Sequence, residues 1–206
     1  MEVTLQEIYD GFADTYDQNR GLFDMGEVFD AFYGSLGVAR GRLLDLGCGA
    51  GDSFARRFVE RGWQVTGVDF SERMLALAAR YVPEMERIHA DMRKAEFGAE
   101  QFDAVTAIYS LFHLPSGDHL PLFRKFQRWL RPGGHALFTY ATRQFTGGEE
   151  FDGHIEFLGQ ALHYSHKRPE ALFADLESAG LRVEAADYRD IGNEVFPWVT
   201  VSKPAA

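Results

Sequence analysis

A single cysteine, Cys48, leaves this 206-residue chain without a partner for an intramolecular disulfide. Basic residues are few: 21 Lys and Arg stand against 31 Asp and Glu, for a formal charge of -10. No basic run is longer than Arg56-Arg57. A surface of that sign disfavours non-specific association with DNA, RNA or an anionic membrane, so neither a nucleic-acid nor a membrane partner is expected. No apolar run reaches the ~18 residues that a membrane-crossing helix needs. The opening Met-Glu-Val-Thr lacks a basic-then-apolar leader pattern, which makes the cytoplasm the expected location. Internal repeats, low-complexity tracts and linkers are absent too, as are a Gly-Lys-Ser/Thr phosphate loop and a legible Ser-His-Asp or Cys-His arrangement. What is plentiful is core material: 46% of residues are hydrophobic and 14% aromatic, enough for one α/β domain over residues 1–206.

The chain is organised around Leu43-Leu44-Asp45-Leu46-Gly47-Cys48-Gly49-Ala50-Gly51-Asp52. An apolar run enters a glycine-dense turn, and Phe54, Ala55, Phe58 and Val59 follow at helical spacing. This predicts a buried strand, a tight turn and a helix start. Glycines allow the backbone to turn sharply and to approach a ligand closely, and the following helix start offers free N–H groups. A dinucleotide fingerprint needs G-x-G-x-x-G, but Asp52 occupies the place of its third glycine.

Further βα units follow. Gln64–Val68 reads as a second strand that ends at Asp69, with Ser71 capping a helix whose buried stripe is Met74, Leu75 and Ala78. Arg87–Ala90 reads as a third strand leading into Asp91-Met92, and Phe102–Tyr109 as a fourth, buried on both faces. Leu120, Phe123, Phe126 and Leu130 form a helical stripe, and Arg131-Pro132-Gly133-Gly134 turns it into a fifth strand, His135 to Ala141. Residues 142–167 break this rhythm and read as an irregular insertion. Pro169 then opens a helix with Leu172, Phe173 and Leu176, closed by Gly180. Leu181–Tyr188 and Glu194–Val201 are strand-like. An alternating β-α pattern of this kind specifies a doubly wound, mostly parallel sheet with helices on both faces and ligands at the C-terminal strand ends.

The glycine turn resembles the first motif, D/E-x-G-x-G-x-G, of class I S-adenosylmethionine-dependent methyltransferases: Asp45, Gly47, Gly49 and Gly51 fill its fixed positions. Tyr9-Asp10-Gly11-Phe12-Ala13-Asp14-Thr15-Tyr16-Asp17 resembles the "Y-D-x-x-A-x-x-Y-D" opening of small-molecule members, Phe102-Asp103-Ala104-Val105 the family's "F-D-x-V" strand, and Leu130 to Gly134 its "L-R/K-P-G-G" turn. The likeness covers about residues 5–140 well. It implies a seven-stranded Rossmann-like sheet whose last strand is antiparallel and inserted between the fifth and sixth. It implies S-adenosylmethionine as cofactor, with S-adenosylhomocysteine as product. The Gly47, Cys48 and Gly49 backbone beside Asp45 would hold the methionine portion, Asp69 the ribose, Asp91 and Met92 the adenine edge, and Phe70 and Met74 an adenine face. Tyr109 ends the fourth strand at the same edge. Tyr16 and Arg20, with Tyr9, would lie near the methionine end. Cys48 reads as a small buried residue rather than a nucleophile.

The resemblance divides the chain into an N-terminal helical lid (1–35), a cofactor-binding core (36–141), a substrate-pocket insertion (142–167) and a C-terminal helix and strand pair (168–206). An oxygen, nitrogen or sulfur acceptor must shed a proton, a task suited to histidine. His113 leads, because its loop follows the fourth strand; His163 and His166 come next, with Tyr140 and Tyr164 as positioning groups. Glu149, Glu150, Asp152 and His154 read as a solvated acidic lid, since no pair stands at helical i, i+4 spacing, and no metal is expected. The loop at 110–115 lacks the Asp/Asn-Pro-Pro-Tyr/Phe tetrapeptide of nucleobase amine methyltransferases, which favours a small molecule as substrate. The sequence leaves open a monomer or a homodimer. It also leaves open two other functions: an NAD-dependent oxidoreductase, and a non-catalytic S-adenosylmethionine-binding protein acting through a partner.

Overall fold

The computed structural model describes residues 5–18, 24–52, 54–157, 160–192 and 194–205. Nine strands are described: β1 (Arg42–Leu46), β2 (Gln64–Asp69), β3 (Glu86–His89), β4 (Phe102–Ala107), β5 (Leu130–Thr139), β6 (Phe151–Phe157), β7 (Gln160–His166), β8 (Arg182–Ile191) and β9 (Glu194–Ser202). Helices are α1 (Leu5–Gln18), α2 (Gly26–Ser35), α3 (Phe54–Glu60), α4 (Glu72–Tyr81), α5 (His119–Trp129), α6 (Arg143–Thr146) and α7 (Pro169–Ser178). Seven strands form one sheet in the order β3-β2-β1-β4-β5-β9-β8. The first five are parallel, and β9 runs antiparallel to both β5 and β8. This is the doubly wound Rossmann-like sheet that the sequence pattern and the family resemblance imply together.

Alternation along each strand feeds two cores. Leu43, Ala104, Leu137 and Trp198 face α2, α3 and α4, where they meet Phe29, Phe32, Phe54 and Phe58. Leu44, Val105, Phe138 and Val199 face α5 and α7, where they meet Phe123, Phe126, Trp129 and Leu176. Burying each of these side chains completely contributes about 1.5–3 kcal/mol, so the two layers hold the sheet flat against its helices. Ser71 caps α4 as expected, accepting from the Met74 N–H at 3.1 Å, with Met74, Leu75 and Ala78 buried behind it.

Several boundaries differ from the sequence reading. Leu130 opens β5 rather than closing α5, and the β4–β5 register shifts between Phe102 and Ala104, so the regular ladder begins at His135. Tyr109 lies beyond β4, in the left-handed region at φ 51°. Phe173 faces outward while Leu172 and Leu176 are buried. Most of all, residues 142–167 are not irregular: Thr142 caps α6, and β6 and β7 pair antiparallel from Phe151↔His166 to Phe157↔Gln160. The polar, histidine-bearing strands of this hairpin hide their pairing, because the residues that β7 buries include Ser165 and His166.

At one edge of the sheet the ends of β4 and β5 meet the start of antiparallel β9. A third apolar cluster lies there, built from Ile8 of α1, Phe112, Ala141, Leu162 and Tyr164 of the hairpin, and Phe196 of β9. Among the described residues no helix is long and apolar enough to cross a membrane.

Candidate active site

The turn after β1 is held by left-handed glycines at three positions: Gly47 (φ 70°), Gly49 (53°) and Gly51 (70°). At Gly47 a side chain is excluded twice over, since a Cβ there would lie 2.3 Å from the Ser110 Cβ. At Gly49 a Cβ would meet nothing within 4 Å, so this part of the turn opens toward free space. The Gly47 and Cys48 amides donate to the Val68 carbonyl, at 2.7 and 3.1 Å, which ties the turn to β2. Cys48 is buried beneath it, and burial, reinforced by the Asp69 and Asp45 charges, drives its thiol well up and away from thiolate chemistry.

Asp69 ends β2 and faces this turn. Its Oδ2 accepts the Gly49 N–H at 2.8 Å, and its Oδ1 accepts the Ser71 N–H at 2.8 Å. Burial raises its pKa against the pull of those amides. Each oxygen keeps a lone pair, so the carboxylate is rigidly placed and still able to accept two hydroxyls. Asp45 lies deeper. Burial pushes it up to about 6, although the Thr106 hydroxyl donates to it at 2.7 Å. Met92 is buried, with its Cε 3.4 Å from where a Gly47 Cβ would stand, so it packs on the turn.

Asp91 follows β3, where the sequence reading puts it, and is already paired. Arg93 clasps it through Nε (3.0 Å to each oxygen) and one terminal nitrogen (2.6 Å), and Arg93 also reaches Asp118 at 3.1 Å. Burial would raise the Asp91 carboxyl, but the hydrogen bonds and charge of Arg93 hold it below its ordinary value. The carboxylate expected at an adenine edge therefore already carries a guanidinium.

Helix α1 spans the gap between this region and the hairpin, touching both α4 and β7. Asp10 accepts from the Ser71 hydroxyl at 2.5 Å, and the Tyr9 ring meets Phe70 edge-on at 5.7 Å. The Tyr9 hydroxyl lies 2.8 Å from His113 Nε2. The other His113 nitrogen, Nδ1, faces the His163 carbonyl at 2.8 Å, and a carbonyl can only accept. Nδ1 therefore carries the proton, and Nε2 accepts from Tyr9. Burial pushes the His113 pKa down to about 4, so the ring is neutral. The side chain of Tyr16 and the whole of Arg20 lie outside the described residues.

His163 faces His113 across a short reciprocal contact. Its Nδ1 is 3.2 Å from the His113 carbonyl, and its Nε2 is 2.9 Å from Asp152 Oδ1. His166 stands three residues further along β7 and so on the opposite face of the strand. It is buried, 2.7 Å from the Thr146 hydroxyl, and is not brought to His113. Tyr140 and Tyr164 also separate: Tyr164 stacks on Phe112 (5.2 Å, 10°), whereas Tyr140 points into the α5 side. Three acidic residues of the insertion are individually paired, Glu149 with Arg143, Glu150 with Arg168, and Asp152 with Ser116 and His163.

Two residues escape sequence reasoning. His119, at the start of α5, is fully buried. Its Nε2 faces Ser165 Oγ and the Leu114 carbonyl, and its Nδ1 lies 2.8 Å from the Tyr140 hydroxyl, which accepts from the Lys167 amide. Glu194, the first residue of β9, is half-buried beside the third cluster. A signal for it exists in the strand pattern, since it shares a face with Phe196 and Trp198.

Comparison with known proteins places this geometry. A family model described as a methyltransferase domain matches residues 43–134. A Bacillus subtilis protein named as a methyltransferase, YqeM, is 37% identical over 136 residues, covering 64% of this chain and 54% of that protein. A ubiquinone biosynthesis O-methyltransferase of Pseudomonas fluorescens is 32% identical over 164 residues, covering 72% and 68% respectively. The chain thus spans about half the length of the first relative and about two thirds of the second. Among solved structures, the Burkholderia thailandensis 1,6-didemethyltoxoflavin-N1-methyltransferase, with bound 1,6-didemethyltoxoflavin and S-adenosylhomocysteine, superposes with a TM-score of 0.72 at 19% identity, over 96% of this chain and 87% of that one. With its left-handed glycine turn gripped by the acidic end of β2, this chain belongs to the class I S-adenosylmethionine-dependent methyltransferases.

Proposed function

We propose that this protein binds S-adenosylmethionine along the Gly47–Gly51 turn and methylates a small molecule received beneath α1. The single observation that carries this reading is the bond from the Gly49 amide to Asp69 Oδ2, which fixes an acceptor carboxylate beside a turn that is open to solvent. The cofactor supplies an electrophilic methyl group on a sulfonium, and the protein's task is alignment and closure. Asp69 offers its two remaining lone pairs to a ribose diol, while Gly47 and Gly49 let the main chain come close. Met92, packed beneath Gly47, backs the turn with apolar surface.

Helix α1 is the lid in this reading. Two of its polar anchors, Asp10 on Ser71 and Tyr9 on His113, reach the cofactor side and the acceptor side respectively. His113 acts as a positioning residue, because its Nε2 is engaged by Tyr9; the Tyr9 hydroxyl is the group it presents. His163, held by Asp152, orients His113 through the paired carbonyls. The relatives' names include both oxygen and nitrogen acceptors, so the acceptor atom has to be argued from the site itself.

Calorimetric titration with S-adenosylmethionine, S-adenosylhomocysteine and NADH tests the proposal. Micromolar binding of the sulfur compounds, ~-8 kcal/mol, is expected, with a loss of at least tenfold in Asp69→Ala. Binding of NADH instead, or no binding at all, sinks it.

A further inference from the structure

Strand β9 sets Glu194, Phe196 and Trp198 on one face by simple alternation. Phe196 is buried and stacked on Phe112 at 5.2 Å and 10°, and Phe112 continues the stack onto Tyr164 with the same spacing and tilt. Tyr109 meets both Phe196 and Trp198 edge-on at 5.7 Å. Tyr9 belongs to the same cluster, as does Phe145, whose ring lies 5.0 Å from Phe196 and from Tyr164. Glu194 heads this aromatic face. No hydrogen bond or ion pair joins it to any other described residue. Its charge adds to burial in raising the hydroxyls of Tyr9, Tyr109 and Tyr164, and burial raises Glu194 itself.

An unpaired carboxylate half out of water is costly, and aromatic faces do not repay it. A cation does: ammonium groups are attracted to the faces of tyrosine rings and pair with the carboxylate at the same time. Among the described residues, the bonded Tyr9–His113 pair and the uncharged side chains of the cluster supply no competing positive group.

We infer that Glu194, on the β9 face that carries Phe196 and beside the cluster that holds Tyr9, Tyr109 and Tyr164, forms the acceptor subsite and selects a protonated amine carried on an apolar or aromatic body. This inference rests on the methyltransferase reading and names its substrate class. The subsite also supplies the proton sink that nitrogen methylation requires. One ammonium N–H proton passes to a Glu194 oxygen, giving a neutral carboxylic acid, and the bonding pair stays on nitrogen as its lone pair. A carboxyl already raised by its surroundings takes that proton more readily than an exposed one.

Phenethylamine and 2-phenylethanol, alike in shape and different in charge, are the probes. Both are titrated at pH 7.5 into free and S-adenosylhomocysteine-loaded protein, for the wild type, Glu194→Gln and Glu194→Asp. The wild type is expected to bind the amine at least tenfold more tightly than the alcohol. Glu194→Gln should abolish that preference and Glu194→Asp retain part of it, with S-adenosylhomocysteine affinity within twofold of wild type in both. Equal binding of the two probes, binding of neither, or a preference that survives in Glu194→Gln overturns the inference. So does a Glu194→Gln variant that loses affinity for S-adenosylmethionine but not for S-adenosylhomocysteine, because the carboxylate would then serve the donor's charged sulfur. A wild type that fails to bind S-adenosylhomocysteine would remove the cofactor reading instead, while the probe comparison in free protein still decides the subsite.

Discussion

The Tyr9 hydroxyl and the His113 Nε2 meet at 2.8 Å across 104 positions of sequence, and through them α1 is fastened to the loop that follows β4. Removing the hydroxyl leaves a buried ring nitrogen without its donor. Tyr9→Phe is expected to cost about 1 kcal/mol of stability. Amide exchange over residues 5–18 should accelerate while β1, β4 and β5 keep their protection. Unchanged exchange in α1 would show that its other contacts, Asp10 on Ser71 among them, suffice to hold the helix.

Two histidines make the fold sensitive to acid. Burial pushes both His113 and His119 down to about 4, from an ordinary value of 6.5. Between those values the unfolded chain binds protons that the native state refuses, so stability is full above pH 6.5 and falls as the pH drops toward 4. The ceiling is about 3 kcal/mol for each ring. Asp45, raised to about 6, works in the opposite direction and offsets part of this, because its native form takes up a proton first. Urea unfolding at pH 7.5 and pH 5 should show the native state weaker at the lower pH, and His119→Gln should flatten the difference. A pH-independent midpoint would refute the assignment.

The glycines of the turn separate stability from binding. Gly47→Ala combines a left-handed backbone with a Cβ driven into Ser110, for a loss of about 3 kcal/mol. Gly49→Ala carries the backbone strain alone, about 1 kcal/mol, since its Cβ meets no neighbour. Yet Gly49→Ala should weaken S-adenosylhomocysteine binding more than it weakens the fold. Equal unfolding midpoints for the two variants would contradict this geometry.

Arg93 occupies the carboxylate that the family resemblance assigns to the adenine amino group. If Asp91 serves that role, the guanidinium competes with it. Arg93→Ala should then raise S-adenosylhomocysteine affinity up to fivefold, the scale of a half-exposed ion pair. A fall in affinity would make Arg93 a positioning partner of Asp91 instead.

The sheet was legible because its strands announce themselves locally. Leu43–Leu46 stops at Gly47 and Gln64–Val68 at Asp69, Phe102–Ala107 is nearly continuous in apolar character, and helical stripes such as Phe123–Phe126 follow. Asp69 and the glycine turn were legible for the same reason, since motif and strand end coincide. The hairpin was not, because β7 buries Ser165 and His166, whose burial depends on partners 20 to 51 positions away. His119 shows the same blindness: nothing local distinguishes a helix-start histidine in solvent from one locked to Tyr140. The proton assignment of His113 was beyond sequence altogether, since it depends on a carbonyl 50 positions downstream.

The place of β9 between β5 and β8 has a consequence for how the molecule is made. During vectorial synthesis β1 to β5 can pair as they emerge, and the turn that faces Asp69 is complete within the first 139 residues. Strand β8 follows, but among the described residues its only ladder is with β9, so it waits unpaired beside an open β5 edge until residues 194–202 arrive. Nascent chains in that interval expose a long, apolar strand edge, the feature that recruits chaperones or neighbouring chains. The donor half of the site is therefore built early, and the wall that carries Glu194, Phe196 and Trp198 is the last piece of the sheet to be put in place.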